Sequence, residues 1–223
     1  MKVLVVGGEG QLGSTISELS AHCGFAEFRV TRMEELDLSS DENVKRFLTS
    51  ADFDYVVNCT AYTAVDKAET EIEMARTINA LAPGWIARYA KEKGAGIIHI
   101  STDYVFGGNA NTPLAPDMQT APTSVYGVTK LEGEKLVAEA NPRYVIIRTS
   151  WLYSRYGNNF VKTKLRLAGE GEELSVVYDQ VGAPTYADDL AGAILKILEV
   201  SSQNEKAFIP GIYHYSNLGV CSW

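Results

Sequence analysis

"KVLVVGGEGQLG", residues 2–13, decides how the chain is read. Residues 2–6 form an apolar run of the kind that makes a strand buried on both faces. Glycines follow in the spacing Gly7-x-x-Gly10-x-x-Gly13, and a helical stretch runs on from Gln11 to His22. A pyrophosphate is an anion and is held by unpaired backbone N–H groups at a helix amino terminus. Side chains at Gly7 and Gly10 would obstruct its approach, while Gly13 allows tight helix–strand contact. The expectation is a dinucleotide lying over Gly7, Gly10, Gln11, Leu12 and Gly13. A glycine-rich turn of some other α/β protein is the alternative, but the turn's place at the first strand–helix junction favours the cofactor.

The rest of the chain carries the same rhythm. Strands are expected at 26–31, 54–59, 96–101 and 143–149, with helices over 39–50, 67–93 and 124–140. Three prolines between Phe106 and Thr123 make that segment a loop. Alternating strands and helices imply an α/β fold with a parallel, doubly wound sheet, its ligand crevice at the carboxyl ends of the strands. Residues 1–150 are read as the dinucleotide-binding domain. Beyond them a helix near 158–168, a strand at 174–178, a helix at 187–200 and a strand near 212–215 are read as a smaller substrate lobe, residues 151–223. "LGVCSW" stops without a finished element, so this lobe is expected to be incomplete.

Composition narrows the class. The net charge of −8 comes without a basic run, which argues against a nucleic-acid partner. No apolar stretch reaches transmembrane length, and "MKVLVVGG" is too short for a signal peptide. Cys23, Cys59 and Cys221 lack metal-ligand spacing and read as free thiols of a cytoplasmic protein.

The end of the second strand selects the dinucleotide. An acid there would bind the adenosine ribose hydroxyls, but the sequence is "VTRM". Arg32 can pair with a 2′-phosphate, which leans toward NADP(H), with NAD(H) possible. Asp37 and Leu38 of "LDL" come close to the adenine in this reading, although Asp37 equally suits a helix cap. In "TAYTAV" (60–65), Ala61 and Ala64 leave room for the cofactor, or pack a short turn.

"STDYVF" (101–106) begins at the carboxyl end of the fourth strand, where hydride transfer would occur. Thr102 can donate a hydrogen bond to a carbonyl oxygen, and Asp103 lies beside it. Tyr126 follows on a helix expected to pack against that strand, with Lys130 one turn later on the same face. Hydride addition to a ketone builds negative charge on oxygen and needs a proton from an acid within reach. Tyr126 is the candidate donor, and a neighbouring ammonium at Lys130 would lower its pKa toward neutrality. Thr102 and Tyr126 together would stabilise the oxygen.

"GGEGQLG", "ELDLSS", "AYTAVDKAE", "STDYVF", "YGVTKLEGE", "RTSWLYS" and "DQVGAPTYADDLA" stand in order over residues 2–194. In these the chain resembles the extended short-chain dehydrogenase/reductases, and among them the dTDP-4-dehydrorhamnose reductases. The resemblance implies NAD(P)H-dependent reduction of the C4 ketone of a dTDP-6-deoxy-L-hexulose, giving dTDP-L-rhamnose. It places the catalytic triad on Thr102, Tyr126 and Lys130 and the sugar-packing tryptophan on Trp151. It brings the loop with Gln180 and Thr185 near the sugar. Two departures stand out. Gly107 and Gly108 replace the family's Asp-Gly, and Thr15 stands where some members carry a glutamate that helps bind a dimer-bridging magnesium ion, so that dimer is not expected. Another sugar-nucleotide reductase or epimerase, or an NADP-binding regulatory subunit like that of methionine adenosyltransferase, shares most of these features.

Overall fold

The computed structural model describes residues 1–108, 112–171, 173 and 175–223. In chain order the first half contains β1 (Lys2–Val6), α1 (Gln11–Ser20), β2 (Glu27–Val30), α2 (Asp41–Ser50) and β3 (Tyr55–Asn58). Then come α3 (Val65–Ala68), α4 (Ile72–Arg76), α5 (Ala82–Glu92), β4 (Gly96–Thr102), α6 (Val125–Ala140) and β5 (Tyr144–Thr149). The remainder contains β6 (Leu152–Tyr153), α7 (Phe160–Gly169), β7 (Val181–Gly182), β8 (Thr185–Tyr186), α8 (Ala187–Gln203), β9 (Gly211–His214) and β10 (Cys221–Ser222).

Six strands form one sheet in the order β2-β1-β3-β4-β5-β9, every pair parallel. Its faces explain why the strands read as unbroken apolar runs. Leu4 and Val6 pack with Val56, Ile97 and Ile146 against α2, α5 and α6. Val3 and Val5 pack with Val57, Ile98 and Ile147 against α1 and α8. Each such side chain contributes about 1.5–3 kcal/mol of burial. Strand order reverses between β1 and β3, which opens a crevice outside their carboxyl ends.

Local chemistry sets the helix ends. Ser40 caps α2 by accepting the Asn43 N–H at 3.3 Å, and Asp41 and Glu42 complement the first turn. Ser124 caps α6 through the Gly127 N–H at 3.1 Å. A Cβ at Gly127 would lie 2.2 Å from the Tyr104 carbonyl oxygen, so glycine lets α6 press its first turn against the end of β4.

Three expectations need correction. The helix read over 67–93 is broken: α3 and α4 are separated at residues 69–71, and a π-helical turn at Thr77–Leu81 precedes α5. Pro83 has no N–H for the Asn79 carbonyl, and the wider turn absorbs that loss. Among the described residues the strand read over 174–178 is also missing. Leu174 lies outside the described residues, and Val176, Val177 and Tyr178 are exposed with no pairing strand. Their β-propensity has no ladder to act on. Finally, α8 and β9 are not part of a separate lobe. Leu190 and Ile194 of α8 share one core with Leu12 and Ile16 of α1, and β9 extends the main sheet beside β5. Small pairings remain on the crevice side, β6 with β8 and β7 with β10.

Candidate active site

The carboxyl ends of β1, β3, β4 and β5 surround a cavity of about 530 Å³. Its floor is the start of α1. Gly10 is the N-cap and offers no side-chain cap, so the first N–H groups of α1 are left without intrahelical partners. Gly10, Gln11 and Leu12 line the cavity. Gly7, at φ +89°, and Gly13 lie beneath it. A Cβ on Gly13 would sit 2.1 Å from the Gly7 carbonyl oxygen, whereas one on Gly10 would meet nothing closer than 3.4 Å. Gly13 therefore packs helix on strand, and Gly10 faces the space.

Gln11 also fastens the crossing segment after β5. Its Oε1 accepts from Ser154 Oγ at 3.1 Å and Asn159 Nδ2 at 3.0 Å, and its Nε2 donates to the Leu152 carbonyl at 3.4 Å. Asn159 in turn caps α7 through the Lys162 N–H.

Opposite the helix end stand Thr102, Asp103, Tyr126 and Lys130, all lining the same cavity. Thr102 ends β4 and caps the short turn Asp103–Val105 by accepting the Tyr104 N–H at 3.2 Å, while its hydroxyl donates to Asp103 Oδ1 at 3.0 Å. Burial raises the Asp103 carboxyl, and that hydroxyl partly offsets the rise. Tyr126 packs edge-on against Tyr104 at 5.4 Å. Burial pushes its phenol up to about 12, with Thr102 pulling the other way.

This corrects the expectation that Lys130 lowers the phenol. Lys130 is buried to 1% exposure and donates to the Ile100 carbonyl at 2.7 Å. Burial pulls the amine down to about 8, against the opposing pull of Glu134. The phenol is consequently a protonated acid at neutral pH, the form a proton donor requires.

Trp151 closes one wall at φ +46°, a strained setting for a side chain. The place of a Cβ on Gly182 is 2.8 Å from its ring, and Trp223 stacks on it at 3.8 Å.

Other expected contacts lie elsewhere. Thr185 is fully buried, pairs with the Thr149 hydroxyl at 3.0 Å, and is not among the residues that line this cavity. Gln180 accepts the Trp223 indole N–H at 3.0 Å. Leu38 belongs to the core beneath α2. Asp37 holds the Ser39 N–H and Asn43 Nδ2 at 2.8 and 2.7 Å, bracing the start of α2. Ala61 lines the cavity, whereas Ala64 is exposed at the start of α3. Arg32 is exposed beyond β2. Thr15 is buried, its hydroxyl on the Gln11 carbonyl. Among the described residues no cluster of three His, Cys, Asp or Glu could hold a metal, and no helix is long and apolar enough to cross a membrane.

Sequence reasoning missed Asn58 and His99, which form a buried polar pair behind Lys130. The signal was present: each is a polar residue inside an apolar strand, "VVNC" and "IIHIS".

The family model described as the RmlD substrate binding domain matches residues 1–223. The chain is 41% identical to the dTDP-4-dehydrorhamnose reductase of Mycolicibacterium smegmatis, covering 99% of this chain and 65% of that protein. It is 44% identical to the Escherichia coli enzyme of the same name, covering 100% and 75%.

The chain belongs to the dTDP-4-dehydrorhamnose reductase family.

Family membership extends to the solved structures. The Bacillus anthracis dTDP-4-dehydrorhamnose reductase, solved in complex with NADP, superposes with a TM-score of 0.90 at 39% identity, covering 100% of this chain and 76% of that one. The chain thus spans about two thirds to three quarters of the length of these family members.

Proposed function

We propose that this chain supplies the dinucleotide site and the proton donor for reduction of dTDP-4-dehydrorhamnose to dTDP-L-rhamnose, using NADPH or NADH. The observation that carries this is one cavity shared by the open amino terminus of α1 and by Thr102, Tyr126 and Lys130. Residues 1–150 would hold the cofactor, and residues of 151–223 such as Trp151 would face the sugar. The fit to a dinucleotide rests on the unpaired N–H groups of α1 and the absence of a side chain at Gly10. When bound, the dinucleotide supplies a hydride.

The remaining chemistry belongs to the chain. The first N–H groups of α1 bind the pyrophosphate. Arg32, exposed past β2, would pair with a 2′-phosphate if the cofactor carries one. Lys130, on the cavity wall, donates to the cofactor's ribose. Thr102 turns its hydroxyl from Asp103 toward the C4 oxygen, and the Tyr126 phenol gives that oxygen its proton. An aromatic face such as Trp151 suits a sugar ring. The three cysteines are free thiols, in keeping with a cytoplasmic protein whose partner is a dTDP-sugar.

The test is NADPH oxidation with dTDP-4-dehydro-L-rhamnose, with the product identified by mass and NMR. Stoichiometric dTDP-L-rhamnose is the expected result. Cofactor binding without turnover would instead indicate a regulatory subunit, and inversion of a carbinol centre in a sugar nucleotide with no net consumption of NADPH would indicate an epimerase.

A further inference from the structure

Behind the cavity wall a chain of polar groups runs through the sheet. The Thr60 N–H and hydroxyl both donate to Asn58 Oδ1, at 3.1 and 2.6 Å. That fixes the orientation of the amide, because the backbone N–H needs an acceptor. The Asn58 Nδ2 amino group therefore faces His99 Nδ1, at 3.2 Å. A donor facing Nδ1 requires a lone pair there. His99 is completely buried, and burial followed by the charge of Lys130 holds its pKa well below the usual value, so the ring is neutral. Its one ring proton then sits on Nε2, which points at Lys130 Nζ from 3.5 Å.

An N–H facing an ammonium is a pair of donors. This accounts for the long separation, and for the lysine making its short bond, 2.7 Å, to the Ile100 carbonyl instead. The neutral amine, by contrast, can accept from Nε2–H. The other groups around the lysine do not cancel this bias. On its own helix, Glu134 is engaged by Arg148 of β5 at 2.8 and 2.7 Å and by Ser101 of β4 at 2.6 Å. Past β3, the Cys59 thiol is pushed up to about 12 by burial and stays uncharged. Asp103, beyond β4, carries a raised pKa and accepts from Thr102. Tyr126, one turn away on α6, is a protonated phenol.

We propose that His99 is a positioning residue for Lys130: held as the Nε2–H tautomer by Asn58 and Thr60, it turns the lysine's own donors away from the imidazole, toward the Ile100 carbonyl of the same strand and the cavity, and favours the uncharged amine. The inference rests on the reading of Lys130 as a cofactor-side lysine. It makes the strand residues Asn58 and His99 determinants of the pH at which that lysine changes charge. Lys130 at about 8 is in keeping with this, with burial its largest cause.

The test reads nuclei as well as turnover. In the ¹⁵N-labelled chain, long-range proton–nitrogen correlation should show His99 with a pyridine-like Nδ1 and a protonated Nε2, assigned by loss of its signals in His99→Phe. The opposite tautomer, or a charged ring at neutral pH, overturns the proposal. In the ¹³C-lysine-labelled chain, the titration of Lys130, assigned with Lys130→Met, should move up by about half to one pH unit in His99→Phe, the worth of one net hydrogen bond. The pH profile of hydride transfer should move with it. An unmoved titration in a folded His99→Phe protein also overturns it. Should that variant not fold, Asn58→Asp serves: a carboxylate accepting from Nδ1–H must switch the ring to the other tautomer, and an unswitched ring contradicts the assignment. The nuclear readouts need no substrate, so they stand even if the chain reduces a different sugar or none.

Discussion

Gly10 and Gly13 sit three residues apart in one motif, and the structure separates their duties. An alanine Cβ at Gly13 would lie 2.1 Å from the Gly7 carbonyl oxygen, and 2.8 Å from both Gly7 C and Gly8 Cα. All three are backbone atoms, so the amino end of α1 must lift from the glycine turn by roughly 1 Å to restore ordinary contact. Overpacking of this severity costs about 3 kcal/mol. For a chain of 223 residues that lowers Tm by about 6–12 °C. The same Cβ at Gly10 meets only the Gly7 oxygen, at 3.4 Å. Gly10→Ala should therefore cost under about 1 kcal/mol, the scale of a lost cap preference, yet put a methyl group into the space above α1. Urea denaturation gives the stabilities, and quenching or enhancement of NADPH fluorescence gives the affinities. Gly13→Ala is expected to lose stability, and Gly10→Val to keep its fold while losing NADPH binding. A Gly13→Ala protein as stable as its parent, or a folded Gly10→Val protein with unchanged affinity, would refute the assignment.

Arg32→Ala should raise the NADPH dissociation constant by about tenfold, the loss of one charge-assisted contact, and leave that for NADH nearly unchanged; equal effects would make Arg32 a bystander. Acid should destabilise the chain through His99. The folded state holds this ring neutral, so below the usual histidine pKa the unfolded chain binds a proton that the folded one does not, and stability falls with pH. Urea midpoints between pH 7 and 5 should drop more steeply in the parent than in His99→Phe, and parallel slopes would contradict this.

How much was legible in the sequence follows from which interactions are local. β1, the glycine turn and α1 were readable because a strand buried on both faces and a helix start each leave their mark within a dozen residues. Ser40 and Ser124 likewise announce α2 and α6. The Tyr126–Lys130 spacing placed both residues on one helix face, and the structure brings them to the same cavity as Thr102. What escaped was long-range. Nothing near Gly211–His214 says that it will pair with β5 rather than stay in a lobe. Pro83 was visible, but its four-residue reach back to Asn79, which widens the helix there, depends on the chain staying helical around it. The lysine's effect on the phenol was argued from spacing alone. The Ile100 carbonyl and the His99 ring, both supplied by the neighbouring strand, hold that lysine elsewhere. Thr185 looked like a loop threonine free to meet a sugar until β8 buried it against Thr149.

The central claim is that Tyr126 gives the proton that completes ketone reduction, and one measurement addresses it most directly. Single-turnover hydride transfer from saturating NADPH to dTDP-4-dehydro-L-rhamnose is followed at 340 nm (the ordinary NADPH absorbance) in the parent chain and in Tyr126→Phe. The substitution removes one hydroxyl from a half-buried ring, so fold and NADPH affinity should survive. The account predicts a rate lower by about 10²–10⁴, the usual loss for a general acid. A Tyr126→Phe protein that folds, binds NADPH and transfers hydride at the parent rate would contradict it.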